Sequence, residues 1–172
     1  MCHMTSYRIL KQKKELEELS GVVVESLSET SLCLKLGNSV REMILKADLA
    51  CEGEKVISFH VSGSASSMIK SESLQSVLQF GLECQNICYV ATELLARLNA
   101  FIEREKMIEA VEKTNLVKVS KDSSSTQLLF HASDYEISIL FEAKWPYPGE
   151  KLKILQVTDT NSLTVISSIC FV

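Results

Sequence analysis

The sequence lacks the residue patterns that most directly indicate catalysis or a metal site. Its six cysteines form no CxxC pair, and none of its three histidines stands in an HExxH frame. It also has no GxSxG elbow and no glycine-rich loop that would hold a phosphate. We therefore expect a protein that is not an enzyme and that carries no cofactor and no metal ion.

Two of the cysteines, Cys84 and Cys88, are one helical turn apart and could both reach a metal ion. No histidine accompanies them in a local ligand frame. Free cysteines in a reducing compartment usually pack as small buried hydrophobic residues, and we favour that interpretation here.

The sequence also lacks a strongly basic region and a long apolar run. Acidic and basic residues alternate and the net charge is −4, unlike the basic surface of a nucleic-acid binder. No apolar stretch reaches the roughly 18 residues of a membrane span, and the first residues do not resemble a secretory signal. We expect a soluble, intracellular protein that binds neither nucleic acid nor membrane. Its hydrophobic content of 46% suffices for one core or two small ones.

The chain is organised around residues 72–113, a proline-free stretch with apolar residues at helical spacing. One straight helix of this length would extend for roughly 60 Å, so we expect it to be bent or shared by two units. A break is predicted at Gly81 or at 85–86, because glycine costs about 1 kcal/mol relative to alanine inside a helix. The polar positions, including Arg97 and Arg104, are expected to face solvent.

Alternation of apolar and polar residues predicts strands on both sides of this stretch. Short turns between them indicate antiparallel hairpins. The predicted strands are 22–27, 31–36, 40–46 and 56–61 before the helix, and 116–119, 126–132, 135–143 and 152–157 after it. The apolar tail, 162–172, forms a final buried strand or begins an element that this chain lacks.

Three further segments complete the pattern. Residues 5–19 predict a charged helix. Its lysines precede its glutamates, against the helix dipole, so packing or a preceding coil must support it. The serine-rich segment 62–73 predicts a flexible connector, and its serines are possible phosphate acceptors. His60 alternates with apolar residues, which predicts a solvent-facing strand position rather than a catalytic one.

A charged helix, a four-stranded meander, a second helix and a second meander resemble two RWD domains in tandem. The RWD domain is a relative of the ubiquitin-conjugating fold. The resemblance is carried by KELEELSG at 14–21, by the helix at 93–116, and by 125–148, which ends in a Tyr-Pro turn. Two such units after a charged helix are similar to the C-terminal module of the outer-kinetochore scaffold family, also called blinkin or the kinetochore-null scaffold.

The resemblance implies an α+β fold with two RWD-like units in tandem, each a helix plus an antiparallel four-stranded meander, joined by the long central helix. Residues 1–20 are then the charged end of a coiled coil and 21–89 the first unit. Residues 90–172 form the second unit, and the chain stops about where its closing helix would begin.

The resemblance also implies a function, that of a non-catalytic interaction module in chromosome segregation. Such modules dock onto the Mis-twelve complex through a peptide tail of one of its subunits, and a Zwint-like coiled-coil partner binds the charged helix. The expected location is the kinetochore, at the centromere of chromosomes in the nucleus. Trp145, Tyr147 and Pro148 are the candidate interface residues, since aromatic residues are enriched at interface hot spots. A packed corner is the alternative for these side chains.

Two other functions are alternatives to this one. A conjugating enzyme needs a cysteine nucleophile near an HPN segment, and the sequence has no HPN. An inner-kinetochore centromere subunit of the O or P type shares the tandem RWD arrangement but acts as a heterodimer. It is expected to fold poorly alone, whereas the scaffold module should be a soluble monomer.

Overall fold

The protein is a mixed α+β chain of helices and two antiparallel sheets in this computed structural model. The residues described are 7–38, 40–50, 55–68, 71–114, 117–121, 125–132, 135–142, 153–159 and 165–170. The helices are α1 (Tyr7–Glu17), α2 (Ser71–Glu83) and α3 (Ile87–Glu112). The strands are β1 (Val22–Leu27), β2 (Ser31–Gly37), β3 (Glu42–Leu49), β4 (Val56–Ser62), β5 (Val117–Lys121), β6 (Ser125–Ala132), β7 (Tyr135–Glu142), β8 (Lys153–Asp159) and β9 (Val165–Cys170).

The chain divides into two compact units, Met1–Asn99 and Ala100–Val172, with the border inside α3. The domain boundaries drawn from the sequence, at 20/21 and 89/90, remain predictions.

The first unit is built on a four-stranded antiparallel sheet in the order β1-β2-β3-β4. Side chains of successive strand residues point to opposite faces, and β2 and β3 each bury every second residue. Helices cover the buried face, as the one-sided apolar pattern requires. The core consists of Leu32, Leu34, Leu36, Met43, Leu45, Ala47 and Leu49 from these two strands, with Ile9, Leu16, Ile87, Val90, Ala91, Leu94 and Leu98 from the helices.

The charged N-terminal helix packs on that core, which is one of the two supports that its poor charge order predicted. Ile9 and Leu16 are buried, and Gln12 between them is buried as well. Its lysines still form ion pairs with glutamates four residues later, such as Lys13 with Glu17 at 3.0 Å. Such exposed pairs contribute little, so packing of the buried stripe holds this helix in place.

The central helix breaks at one of the two predicted positions. α2 ends at Glu83 and α3 begins at Ile87, so the break falls at 85–86. The alternative break at Gly81 was wrong, because Gly81 lies buried inside α2. A Cβ atom there would stand 2.0 Å from Cγ2 of Val90, so the missing side chain allows α2 and α3 to approach each other closely.

The prediction that Arg97 and Arg104 face solvent was also wrong, since both are buried. The Arg97 guanidinium pairs with the Glu93 carboxylate and donates from Nε to Ser73 Oγ at 3.3 Å. Arg104 lies 5.1 Å from the centre of the Phe101 ring, at cation–π distance. The long apolar stems of arginine cover core surface while the charged ends keep polar or aromatic partners.

The serine-rich segment is more ordered than predicted. Ser62 ends β4, residues Ser66–Met68 form a short 3₁₀ turn, and Ser71 already begins α2. Ala65 is buried, and its N–H donates to the carbonyl of Glu42 at 3.0 Å. The prediction of a flexible connector through 62–73 therefore fails for these described residues.

The second unit contains a five-stranded antiparallel sheet in the order β5-β6-β7-β8-β9. This corrects the predicted four-stranded meander, because the apolar tail contributes β9, paired with β8. Ile108 of α3 packs with Val117 and Leu128 in a small core, against which Val111, Val119 and Phe130 also pack.

Candidate interaction site

The residues predicted as interface anchors, Trp145, Tyr147 and Pro148, lie outside the described residues. Their role therefore stays a prediction.

β1 and β4 are the two edges of the four-stranded sheet. α1 contacts β1, whereas α2 contacts β4. Between β4 and α2 lies an open groove of about 650 Å³. Its walls are Ile57, Ser58 and Phe59 on the strand and one side of α2 from Glu72 to Leu82. Ile57 is 58% exposed on this edge strand.

A second hollow of about 530 Å³ adjoins this groove and shares Ile57, Gln79 and Leu82 with it. It continues to Lys55, at the start of β4, and to Glu83 and Gln85, at the end of α2. We call the two hollows together the β4–α2 groove. Each hollow has a volume in the range of protein sites that bind ligands.

Gln85 closes one end of the β4–α2 groove. Its Oε1 accepts a hydrogen bond from the N–H of Val56 at 2.8 Å, and its Nε2 donates to the carbonyl of Val56 at 3.0 Å. The side-chain amide thus satisfies both main-chain groups of one strand residue, as a neighbouring strand would do.

The backbone places the Gln85 amide in this position. Gln85 has φ +55°, and its N–H donates to Leu82 while the next N–H, of Asn86, donates to Gly81. These are the two bonds of a Schellman motif, with a left-handed residue just past the helix end. Asn86 then caps α3, since its Oδ1 accepts from the N–H of Tyr89 at 2.9 Å.

The N-terminal helix holds the same turn from the other side. The Gln85 carbonyl accepts from Arg8 at 2.9 Å and from Gln12 Nε2 at 3.3 Å. Gln12 Oε1 accepts from the N–H of Ile87 at 2.7 Å, which satisfies an otherwise unbonded donor of the first turn of α3. Sequence reasoning missed this role. The available signal was a glutamine on the same helical stripe as Ile9 and Leu16.

A serine, a histidine and an aspartate meet on the solvent face of the sheet. Oδ2 of Asp48 lies 2.7 Å from Ser58 Oγ and 2.9 Å from His60 Nε2. The same Nε2 is also 3.1 Å from Ser58 Oγ. A catalytic triad uses the two ring nitrogens for two different partners, so this geometry does not fit a proton relay. His60 is largely exposed, as predicted.

The hydrogen bond from Lys46 and then that from Ser58 hold the pKa of the Asp48 carboxyl at about 2. The group is therefore a carboxylate across the physiological pH range. Its role on this face is a stable negative charge bonded to neighbours on β3 and β4.

Cys33, Cys84 and Cys88 are free and differ in exposure. Cys84 is exposed, and Cys33 and Cys88 are half-buried, so the prediction of buried cysteines was wrong for these three. Burial, then the nearby Glu15 carboxylate, raises the pKa of the Cys88 thiol to about 12. Burial, then Glu25, raises the pKa of the Cys33 thiol. A raised pKa opposes thiolate chemistry at these two positions.

Within the part of the chain that the structure describes, no group of three His, Cys, Asp or Glu side chains is placed to hold a metal ion. Among the helices described, none has both the length and the apolar character needed to cross a membrane. Comparison with known proteins yields no family model and no curated protein that matches the chain.

Proposed function

We propose that the chain is a non-catalytic, tandem RWD-type interaction module of the outer-kinetochore scaffold family. Its function is to dock onto a peptide tail of the Mis-twelve complex during chromosome segregation in the nucleus. The order of elements supports this most directly. A helix leads into an antiparallel β1–β4 meander, and a second helix, α3, leads into a second meander.

A binding role also agrees with the surfaces of the first unit. The β4–α2 groove is open, lies on a sheet edge and carries exposed Ile57. In contrast, the cluster of Ser58, His60 and Asp48 has a geometry unsuited to proton relay. Trp145 and Tyr147 stay in this proposal as candidate anchors in the second unit.

The proposal includes the coiled-coil partner of Zwint type. Tyr7 is 82% exposed and Leu10 46% exposed, three residues apart on α1. Residues at this spacing lie on the same side of a helix, so they present one apolar stripe to solvent. A second helix packed on that stripe would cover both side chains.

Size-exclusion chromatography of the purified chain, alone and with reconstituted Mis-twelve complex, tests this function. We expect a monomer that co-elutes with the complex in a stoichiometric peak, and loss of co-elution in Trp145→Ala or Tyr147→Ala would locate the anchors. A folded monomer that never co-elutes would overturn the assignment. A chain that aggregates alone and dissolves only with a second RWD protein would favour the heterodimeric centromere subunit instead.

A further inference from the structure

The outer side of β4 carries main-chain hydrogen-bonding groups whose direction follows from the strand register. The N–H of Leu49 donates to the carbonyl of Thr30 at 2.8 Å, on the β2 side of β3. Main-chain groups of successive strand residues point alternately to the two sides. Ile44, Lys46 and Asp48 therefore direct their N–H and C=O groups toward β4.

The partners of these β3 residues in the register are Ser62, His60 and Ser58. Those three direct their main-chain groups back toward β3. By the same alternation, Phe59 and Val61 direct their N–H and C=O groups away from the sheet, to the outer edge of β4. In the described chain, β4 is the last strand of the sheet, so this edge faces no further strand.

The Gln85 side chain already shows how a peptide group fits this edge. It accepts from and donates to Val56, at distances normal for strand pairing. Gln85 thus bonds to Val56 as a residue of a fifth strand would, on the N-terminal side of the register shift between Val56 and Ser58. The next outward-facing positions, Phe59 and Val61, are not covered by that side chain.

The β4–α2 groove has room for such a strand. α2 has thirteen residues, a length of roughly 20 Å. An extended peptide rises about 3.3 Å per residue, so about six residues match this length. Ile57 on the strand and Leu78 and Leu82 on α2 supply apolar contacts for every second side chain of the peptide.

The charges of the groove indicate the chemistry of the peptide. Among the described residues, Glu72 is the one charged side chain that lines the wider hollow. The narrower hollow is lined by one basic and one acidic side chain, Lys55 and Glu83. A lysine or arginine in the peptide would pair with Glu72. Because every pair in this sheet is antiparallel, the added strand would run opposite to β4 and place its basic residue near its own N-terminus.

We propose that the β4–α2 groove binds an extended peptide segment that adds to the sheet beside β4, with apolar side chains at alternate positions and a basic residue facing Glu72. This mode of recognition obtains affinity from main-chain hydrogen bonds and specificity from alternate side chains. The inference rests on the proposed function, because it names the surface where the peptide tail docks.

Selection from a random library of peptides of about twelve residues, displayed on phage, tests this inference with the full chain as target. We expect enriched sequences with alternating apolar residues and a lysine or arginine at the end that faces Glu72. Enriched peptides should perturb the amide NMR signals of Phe59 and Val61. Absence of enrichment, or helical spacing of apolar residues in the selected peptides, would overturn the inference.

Two matched variants locate the site. Ile57→Lys places a charge on the β4 edge and should weaken binding of the selected peptides about tenfold or more, since apolar contact is lost. Val23→Lys is the control, because Val23 on the other edge strand is 57% exposed, close to the 58% of Ile57. Equal peptide binding by both variants would contradict the inference. A wild-type dimer that dissociates in Ile57→Lys would also contradict it, because a second copy of the chain would then occupy the groove. Equal unfolding temperatures would show that both variants fold.

The same variants separate this inference from the proposed function. If Ile57→Lys co-elutes with the Mis-twelve complex as strongly as wild type, the complex is still the partner, but the β4–α2 groove is not the docking surface. If the chain binds selected peptides in a manner that depends on Ile57 but never binds the Mis-twelve complex, the groove is a peptide site and the complex is not the partner.

Discussion

The side-chain amide of Gln85 forms two hydrogen bonds with the main chain of Val56, at 2.8 and 3.0 Å. This contact joins the turn between α2 and α3 to the edge of the sheet. It requires Gln85 to hold a left-handed backbone with φ +55°, which costs a residue with a side chain about 1–2 kcal/mol. One strained residue thus contributes to the junction between the helix pair and the sheet.

Replacing Gln85 separates these two effects. Gln85→Ala removes the bonds and keeps the strain, so we expect a loss of about 2 kcal/mol in unfolding free energy. Gln85→Gly removes both the hydrogen bonds and the backbone strain, so it should lower the unfolding free energy by about 1 kcal/mol less than Gln85→Ala does. Urea unfolding measures both. Gln79→Ala serves as control, because exposed Gln79 bonds only to Glu83 among the contacts described. An alanine variant as stable as wild type would show that the bonds contribute nothing.

Gly81→Ala tests the close approach of α2 and α3. Helix propensity alone favours alanine by about 1 kcal/mol. The added Cβ would lie 2.0 Å from Val90 Cγ2, so we expect a net loss of about 1–3 kcal/mol instead. In thermal or urea unfolding, the double variant with Val90→Ala should lose less than the sum of the single changes. Stabilisation by Gly81→Ala alone would refute the packing argument.

Asn86→Ala tests the cap of α3. Loss of the bond from Tyr89 N–H to Asn86 Oδ1 should cost about 1 kcal/mol. Asn99→Ala is a suitable control, since Asn99 is exposed inside the same helix and alanine is favoured there. The two substitutions should therefore change the urea midpoint in opposite directions, and a fall of equal size in both would contradict the cap.

The lowered pKa of the Asp48 carboxyl predicts a contribution to folding stability that is lost in acid. Its pKa is lowered from 3.8 to about 2 in the folded protein. A lowered pKa stabilises the folded state above the unfolded pKa, and the contribution disappears as the pH falls from 3.8 to about 2. The stability difference between wild type and Asp48→Asn should shrink over that interval. In an NMR titration, Lys46→Met should raise the pKa of Asp48; an unchanged value would rule out Lys46 as the main cause.

The sheets were predictable in outline because burial of one face imposes a period of two. Leu32, Leu34 and Leu36 alternate in the sequence as they do in the structure. The number of strands in the second unit was not predictable, because an apolar tail such as 162–172 is compatible with more than one element. Pairing with β8 decides that β9 is a strand.

Polar residues inside the core were harder to predict. Sequence periodicity gives the side of a helix but not the bonding partner, so Arg97 was assigned to solvent although Ser73 and Glu93 allow its burial. The burial of Gln12 was equally hard to predict, because its hydrogen-bond partners are 73 and 75 residues away in the sequence. Helix propensity predicts a break at Gly81. The structure instead explains the glycine by close packing against Val90. The groove depends on the same long-range contacts and could not be predicted.

Titration calorimetry with reconstituted Mis-twelve complex tests the central claim, that this chain is a docking module, most directly. The wild-type chain and Val23→Lys should bind with the same affinity and a stoichiometry of one to one. Ile57→Lys should bind about tenfold or more weakly, because the docked peptide loses its contact on the β4 edge. Absence of binding heat from the folded wild-type chain at several temperatures would contradict the claim.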